Sequence, residues 1–295
     1  MDKLAIQNLV RNYSIEATVV QSQRIKQFAE LVSPGTRIYI PHTPHTAFGE
    51  MVTLAARLRR EGMEPVPHIV ARRMESFAAL DDFLARLTSE GGVKQVLVVA
   101  GDITTPLGRL QSSLEVLESG VLEKHGIGVV GVAGHPEGHR DVSGAVLVDA
   151  LRRKNAYAEK TGARVYIVTQ FTFSADPVIA WEKSHGSDIG ALPVTVGLPG
   201  PATVKMLLKY AMECGIGASL QAFTRRYASL SKLLTVSAPD QTIVQLAAYR
   251  QQTPGTRVAG LHFFTFGGFE KTAEWANQIA AGNFISSPGG DLKLS

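Results

Sequence analysis

The 295-residue chain is 45% hydrophobic and 19% charged, with 28 Gly and 14 Pro dispersed along it, which excludes long disordered tracts and predicts a globular chain apart from its ends. A formal charge of +4 is mild, Lys and Arg are scattered, and no apolar run approaches the roughly 18 to 20 residues that span a bilayer, so nucleic acid and membrane are not expected partners. The single cysteine, Cys214, cannot form an internal disulfide and reads as buried filler, and MDKLAIQNLVRN lacks a secretory apolar core, so a cytoplasmic setting is expected.

In chain order, runs rich in Val, Ile and Thr predict strands at 14-19, 36-40, 65-70, 94-100, 127-133, 164-170, 193-197 and 258-264. Several are almost continuously apolar, as parallel strands covered on both faces must be. Polar-faced helical patterns separate them, at 22-32, 46-61, 75-89 and 143-160, and the segment 201-252 carries extra helical patterns, one at 238-250, before the last strand. Strict βα alternation with eight strands predicts a closed (β/α)8 barrel, with an open doubly wound sheet as runner-up. One catalytic domain is expected over 1-295, with a short leading segment at 1-12 and a tail at 283-295.

Barrel chemistry sits at the carboxyl ends of the strands. Glu16 falls in the first run, His42 and His45 follow the second, His68 sits late in the third, and Gly101 and Asp102 follow the fourth. His135, Glu137 and His139 follow the fifth, Gln170 closes the sixth, Gly197 to Gly200 follow the seventh, and Phe264 and Thr265 end the eighth. Any one of these has a bland reading as a helix cap or a loop-binding group. Their convergence on one end of a barrel favours function. Glu16 is the sharpest case, because a carboxylate in an apolar strand needs a partner or a raised pKa. The glycines of Gly197-Leu198-Pro199-Gly200 would let backbone approach a flat ring closely. The His and carboxylate cluster also suits a divalent metal, although HPEGH stands on a loop and lacks zincin geometry. No Rossmann or P-loop glycine fingerprint occurs.

The ordered motifs resemble the barrel of the methylenetetrahydrofolate reductases over roughly residues 13 to 281. Ser14-Ile15-Glu16-Ala17-Thr18, Val66-Pro67-His68-Ile69-Val70, Ala100-Gly101-Asp102, His135-Pro136-Glu137-Gly138-His139, Thr169-Gln170-Phe171-Thr172-Phe173 and His262-Phe263-Phe264-Thr265 carry the resemblance in sequence order. It implies reduction of 5,10-methylenetetrahydrofolate to 5-methyltetrahydrofolate by NADH or NADPH. Glu16 would protonate the N10 side as the imidazolidine ring opens, and Asp102 would stabilise the iminium that accepts hydride. Gln170 would hydrogen-bond the pterin edge, and Phe264 would join the folate-binding set. His68, Gly101, His135, Glu137, His139 and Gln170 would contact cofactor, with no metal.

Departures from the family pattern fall where it holds FAD. Ala100, His135 and Pro41 replace its arginine, tyrosine and threonine, and Arg152, Arg153 and Lys154 are shifted in register. Gly267 and Gly268 replace an arginine that grips the folate side chain. The expectation is weak or absent flavin binding and direct hydride transfer from the nicotinamide. The competing readings are a metal-dependent barrel hydrolase, a methyltetrahydrofolate-binding methyltransferase with a corrinoid partner, and a folate-binding protein without catalysis. Assembly state is not legible.

Overall fold

Each of the eight predicted runs becomes a strand of a single sheet in the computed structural model, which describes residues 2-226, 233-287 and 289-295. They are β1 (Ser14–Glu16), β2 (Arg37–Ile40), β3 (Glu64–Val70), β4 (Gln95–Val99), β5 (Val129–Gly134), β6 (Arg164–Thr169), β7 (Val194–Pro199) and β10 (Val258–Phe264). The sheet closes in the order β1-β10-β7-β6-β5-β4-β3-β2, with parallel registers such as Gln95 with Val129 and His262 with Gly197. This is a (β/α)8 barrel, as the alternation predicts.

Helices α1 (Lys3–Val10), α2 (Val19–Ser22), α3 (Phe48–Arg60), α4 (Phe77–Ser89), α5 (Ser113–Glu118), α6 (Val121–Lys124), α7 (Gly144–Thr161), α8 (Asp176–Ile189), α9 (Val204–Glu213), α10 (Ala218–Arg226), α11 (Asp240–Gln252) and α12 (Phe269–Ala281) complete the elements, with short pairs β8 (Ala202–Thr203)/β9 (Val236–Ser237) and β11 (Phe284–Ser286)/β12 (Leu292–Leu294). Among the described residues no helix is long and apolar enough to cross a membrane.

Three expectations need correction. The first strand stops at Glu16 rather than residue 19, because the Thr18 side chain caps α2 in a reciprocal capping box with Gln21, so Glu16 ends a strand instead of lying inside one. The helix expected at 22-32 does not form; Arg57 donates to the carbonyls of Ser22, Ile25 and Lys26, binding that connection as irregular chain, and only a 3-10 turn at Phe28–Glu30 remains. The ends are also ordered: α1 leads the chain and the β11/β12 hairpin closes it. In the segment 201-252, α9, α10 and α11 appear as expected along with β8/β9; its residues 227-232 lie outside those described.

The chain divides into two compact units. The unit of residues 16-133 and 150-167 holds β2 to β4 and most of β5 and β6. Its interior carries a buried polar chain: the Tyr39 and Tyr166 hydroxyls are 2.6 Å apart, and Gln95 Nε2 donates to Tyr166 at 2.7 Å. Gly131 is required there, since a Cβ would stand 2.8 Å from the Tyr166 hydroxyl. Lys154 of α7 is buried and donates to the Ala133 carbonyl at 2.7 Å; burial lowers its pKa to about 8.

The unit of residues 1-15, 134-149 and 168-295 holds the end of β6, then β7, β10 and the extra helices. Here α1 packs on α11 and α12, Tyr13 donates to Asn277 at 2.9 Å, and Ser14 Oγ and His262 Nδ1, both fully buried, meet at 2.9 Å.

Candidate functional site

Strand ends of the β2 to β4 unit come first. His42, after β2, packs its ring on Phe48 at 5.0 Å, and burial followed by the nearby Arg73 cation holds its pKa below the ordinary range, favouring neutral imidazole. His68 is inside β3, edge-on to Tyr39 at 5.9 Å, and His45 is exposed. Asp102 follows β4 with its side chain 81% exposed, and its Oδ1 accepts from Nη2 of Arg73, whose side chain is only 9% exposed, at 2.8 Å. Burying the guanidinium while presenting the carboxylate fixes the carboxylate's position without covering it. Gly101, at φ +106°, is held against Val70, whose Cγ1 would lie 2.5 Å from a Cβ, so packing alone demands glycine. Glu16, half-buried, ends β1.

The other unit treats its carboxylate oppositely. Glu137, on the loop after β5, accepts from Thr172 Oγ1 at 2.8 Å, from Ser219 N at 2.8 Å and from Ser219 Oγ at 2.6 Å. It ties the β5 loop to the chain after β6 and to α10. His139 Nδ1 accepts from Asp141 N at 3.1 Å, and its ring meets that of His135 edge-on at 5.4 Å. Gln170 closes β6; its Oε1 accepts from Phe171 N at 3.0 Å, which fixes the amide and leaves its NH2 as a donor. Gln170 also lines a narrow cavity with Phe171, His135, Glu137 and Cys214. Cys214 is therefore not buried filler: it caps α9, where the chain turns at the surface, and it is exposed. Beside this cavity a groove of about 630 Å³ runs past Pro136, Asp176, Trp181, Ser184 and His185.

An aromatic wall lies next to Gln170. Phe171 contacts Phe173 at 5.8 Å, Phe264 at 5.6 Å and Phe266 at 5.1 Å, and Tyr210 of α9 stacks on Phe266 at 4.4 Å. Gly197 lies inside β7 rather than after it, and with Gly200, just past the strand, it serves packing rather than a ligand: a Cβ on Gly197 would come within 2.4 Å of the Thr169 carbonyl and 2.8 Å of the Phe264 ring, and one on Gly200 within 2.3 Å of Thr272. The expected approach of that backbone to a flat ring is thus taken up by the protein's own atoms.

Arg73, Ser219, Tyr210 and Phe266 were not singled out by sequence. Arg73 had a readable signal, a cation three residues beyond β3. Ser219 sits 82 residues from Glu137 in an extra helix, and no local pattern announces that pairing. Among the described residues, no group of three or more His, Cys, Asp or Glu is placed to hold a metal ion.

A closed (β/α)8 barrel with polar and aromatic side chains at its carboxyl strand ends is the class defined here. No model of a known protein family matches the sequence. Among solved structures, an uncharacterized protein from Clostridium thermocellum that binds two copies of 5-methyl-5,6,7,8-tetrahydrofolic acid is similar over 93% of this chain and 99% of its own, at 12% identity and a TM-score of 0.52. A conserved Enterococcus faecalis protein of unknown function matches 91% of this chain and 64% of its own, at 13% identity and a TM-score of 0.48. A xylose isomerase domain containing protein from Salmonella typhimurium matches 92% and 94%, at 15% identity and 0.46. At these identities the likeness is one of fold.

Proposed function

We propose that the chain binds a reduced folate of the 5-methyltetrahydrofolate class for one-carbon chemistry. The observation that carries the reading is the Gln170 amide, anchored through Phe171 N with its NH2 still to donate, beside a wall of phenylalanines. A pterin edge needs such a hydrogen-bonding amide, and its ring system needs apolar faces. The adjoining groove, at about 630 Å³, is within the range of ligand sites. The similar Clostridium thermocellum structure, which binds two copies of 5-methyltetrahydrofolic acid, supports the same ligand class. Calorimetric titration with 5-methyltetrahydrofolate is the test: saturable binding that Gln170→Ala weakens is expected, and heats no larger than dilution would refute the reading.

A second reading, reduction of 5,10-methylenetetrahydrofolate, is favoured by Asp102. A carboxylate held by a buried arginine yet left exposed is suited to stabilise a cationic iminium, and Glu16 at the end of β1 would protonate N10 as the ring opens. In this reading the nicotinamide is a co-substrate that delivers hydride. Glu137 has three donors on its carboxylate already and would act through loop geometry. The residues present do not fit a flavin pyrophosphate. Arg153 is paired with Glu118 at 2.6 Å, Lys154 is buried on the Ala133 carbonyl, and Ala100 offers no cation. Oxidation of NADH on adding methylenetetrahydrofolate tests this reading. Corrinoid-linked methyl transfer would use the same folate without NADH; a hydrolase lacks a metal-ligand set among the described residues.

A further inference from the structure

The groove of about 630 Å³ beside the Gln170 cavity carries polar groups that the fold leaves unused. Pro136 and Glu137 line both, so cavity and groove join at that end. From there the groove follows α8 past Asp176, Pro177, Ala180 and Trp181 to Ser184 and His185. Glu137 and Ser219, also in its wall, are committed to each other. Asp176 differs: its side chain is exposed and its carboxylate accepts from no group among the described residues. Trp181 is only 7% exposed, yet its indole N–H has no acceptor among the described residues and is not one of the side-chain atoms sealed from solvent. A buried tryptophan ordinarily finds a partner for that donor. What is uncovered of this ring meets the groove. Among the described residues no Lys or Arg lines the groove, and Asp188 Oδ2, 3.3 Å from Nδ1, offsets charge on His185. Such a groove suits a neutral group with an apolar face, one donor and one acceptor, and does not suit a phosphate or carboxylate.

We infer that the groove holds the p-aminobenzoyl arm of the reduced folate and leaves its glutamate in solvent. The inference rests on the function proposed above, in which the pterin lies beside Gln170. The arm is a flat aryl amide with the N10–H donor at one end and a carbonyl acceptor at the other. Asp176 accepts from N10–H, Trp181 donates to the carbonyl, and Pro177 and Ala180 cover the ring between them. Five residues separate Asp176 from Trp181, about 7.5 Å along a helix, which matches the reach from amine to carbonyl across a para-substituted ring. The glutamate brings two negative charges that find no cation in the lining and are repelled by Asp176, so it passes out beyond the exposed Ser184. Affinity then comes from the arm and not from the length of the glutamate chain. Because Trp181 is already held by its surroundings, its donor is fixed before the ligand enters, and less ordering is required on binding.

The test compares dissociation constants of the full chain for 5-methyltetrahydrofolate, its triglutamate and 6-methyltetrahydropterin, which lacks the arm, in wild type, Asp176→Ala and Trp181→Phe. Trp181→Phe keeps an aromatic wall and removes the donor; Asp176→Ala changes an exposed side chain, and thermal unfolding checks the fold of both. In wild type the folate should bind at least about tenfold tighter than the pterin, and the triglutamate within about threefold of the monoglutamate. Each variant should weaken folate binding about three- to tenfold and leave the pterin unchanged within about twofold. Three results overturn the subsite and leave the proposed function standing: wild-type affinity for the folate no higher than for the pterin, losses shared equally by the two ligands, or folate binding unchanged in both folded variants. Triglutamate binding more than about tenfold tighter overturns the solvent-exposed glutamate, since cations must then hold the chain. Binding of neither folate nor pterin by wild type overturns both the subsite and the proposed function.

Discussion

The loops that follow β4 and β5 present Asp102 and Glu137, and use these carboxylates in opposite ways. After β5, Glu137 is enclosed by three donors from Thr172 and Ser219, so its charge holds chain segments together. After β4, Asp102 is bonded to a buried arginine and faces solvent. Position at a strand end therefore does not distinguish a carboxylate enclosed by the fold from one left open to solvent; the number of protein donors already on it does.

Isosteric amides sharpen that contrast most. Glu137→Gln replaces an acceptor oxygen with an NH2 facing existing donors and should cost about 3 kcal/mol of stability by urea unfolding. A loss below about 0.5 kcal/mol would show that the three bonds are not built into the stability of the fold. Lys154→Met tests a buried charge in the other unit. With the folded pKa lowered from 10.5 to about 8, the cost of burying the ammonium is absent above about pH 10.5 and complete below about pH 8. Wild-type stability should thus rise as pH increases between those values. At pH 7 the variant should be about 1 to 3 kcal/mol more stable than wild type, after allowing for its lost hydrogen bond, and the gain should vanish near pH 10. Tyr166→Phe removes the hydroxyl shared by Tyr39 and Gln95 and should cost about 1 to 2 kcal/mol in the same assay. Asp102→Asn should change stability by less than about 0.5 kcal/mol, since the side chain is exposed, while lowering any NADH-linked turnover at least tenfold. A destabilised Asp102→Asn with unchanged turnover would dissolve the distinction between the two carboxylates.

The barrel was legible because its strands are short apolar runs separated by helical periods, a local signal that tertiary contacts reinforce. Glu16 was misplaced within its strand because the capping box that ends β1, Thr18 with Gln21, was not read as a stop. Irregular chain at 22-32 depends on Arg57, more than 30 residues away, so the helical pattern there could not reveal it. Of the candidate residues, the strand-end places of Gln170 and Asp102 were legible, but what Glu137 does depends on Ser219, and how Phe264 packs depends on Phe171 and Phe266. Those are long-range pairings between side chains that look ordinary in sequence.

The contact between Gly131 and Tyr166 implies a rule for how this sequence can drift. A methyl group at position 131 would meet the tyrosine's hydroxyl and ring carbon, at 2.8 and 2.9 Å, as well as Leu97 at 3.0 Å. Removing the hydroxyl alone leaves the ring carbon in the way, so Tyr166→Phe does not open the path. Position 166 must first lose its ring, and only then can 131 grow. Descent from this chain is accordingly ordered: lineages that retain an aromatic residue at 166 should retain glycine at 131, and the reverse order of change passes through a sterically blocked intermediate.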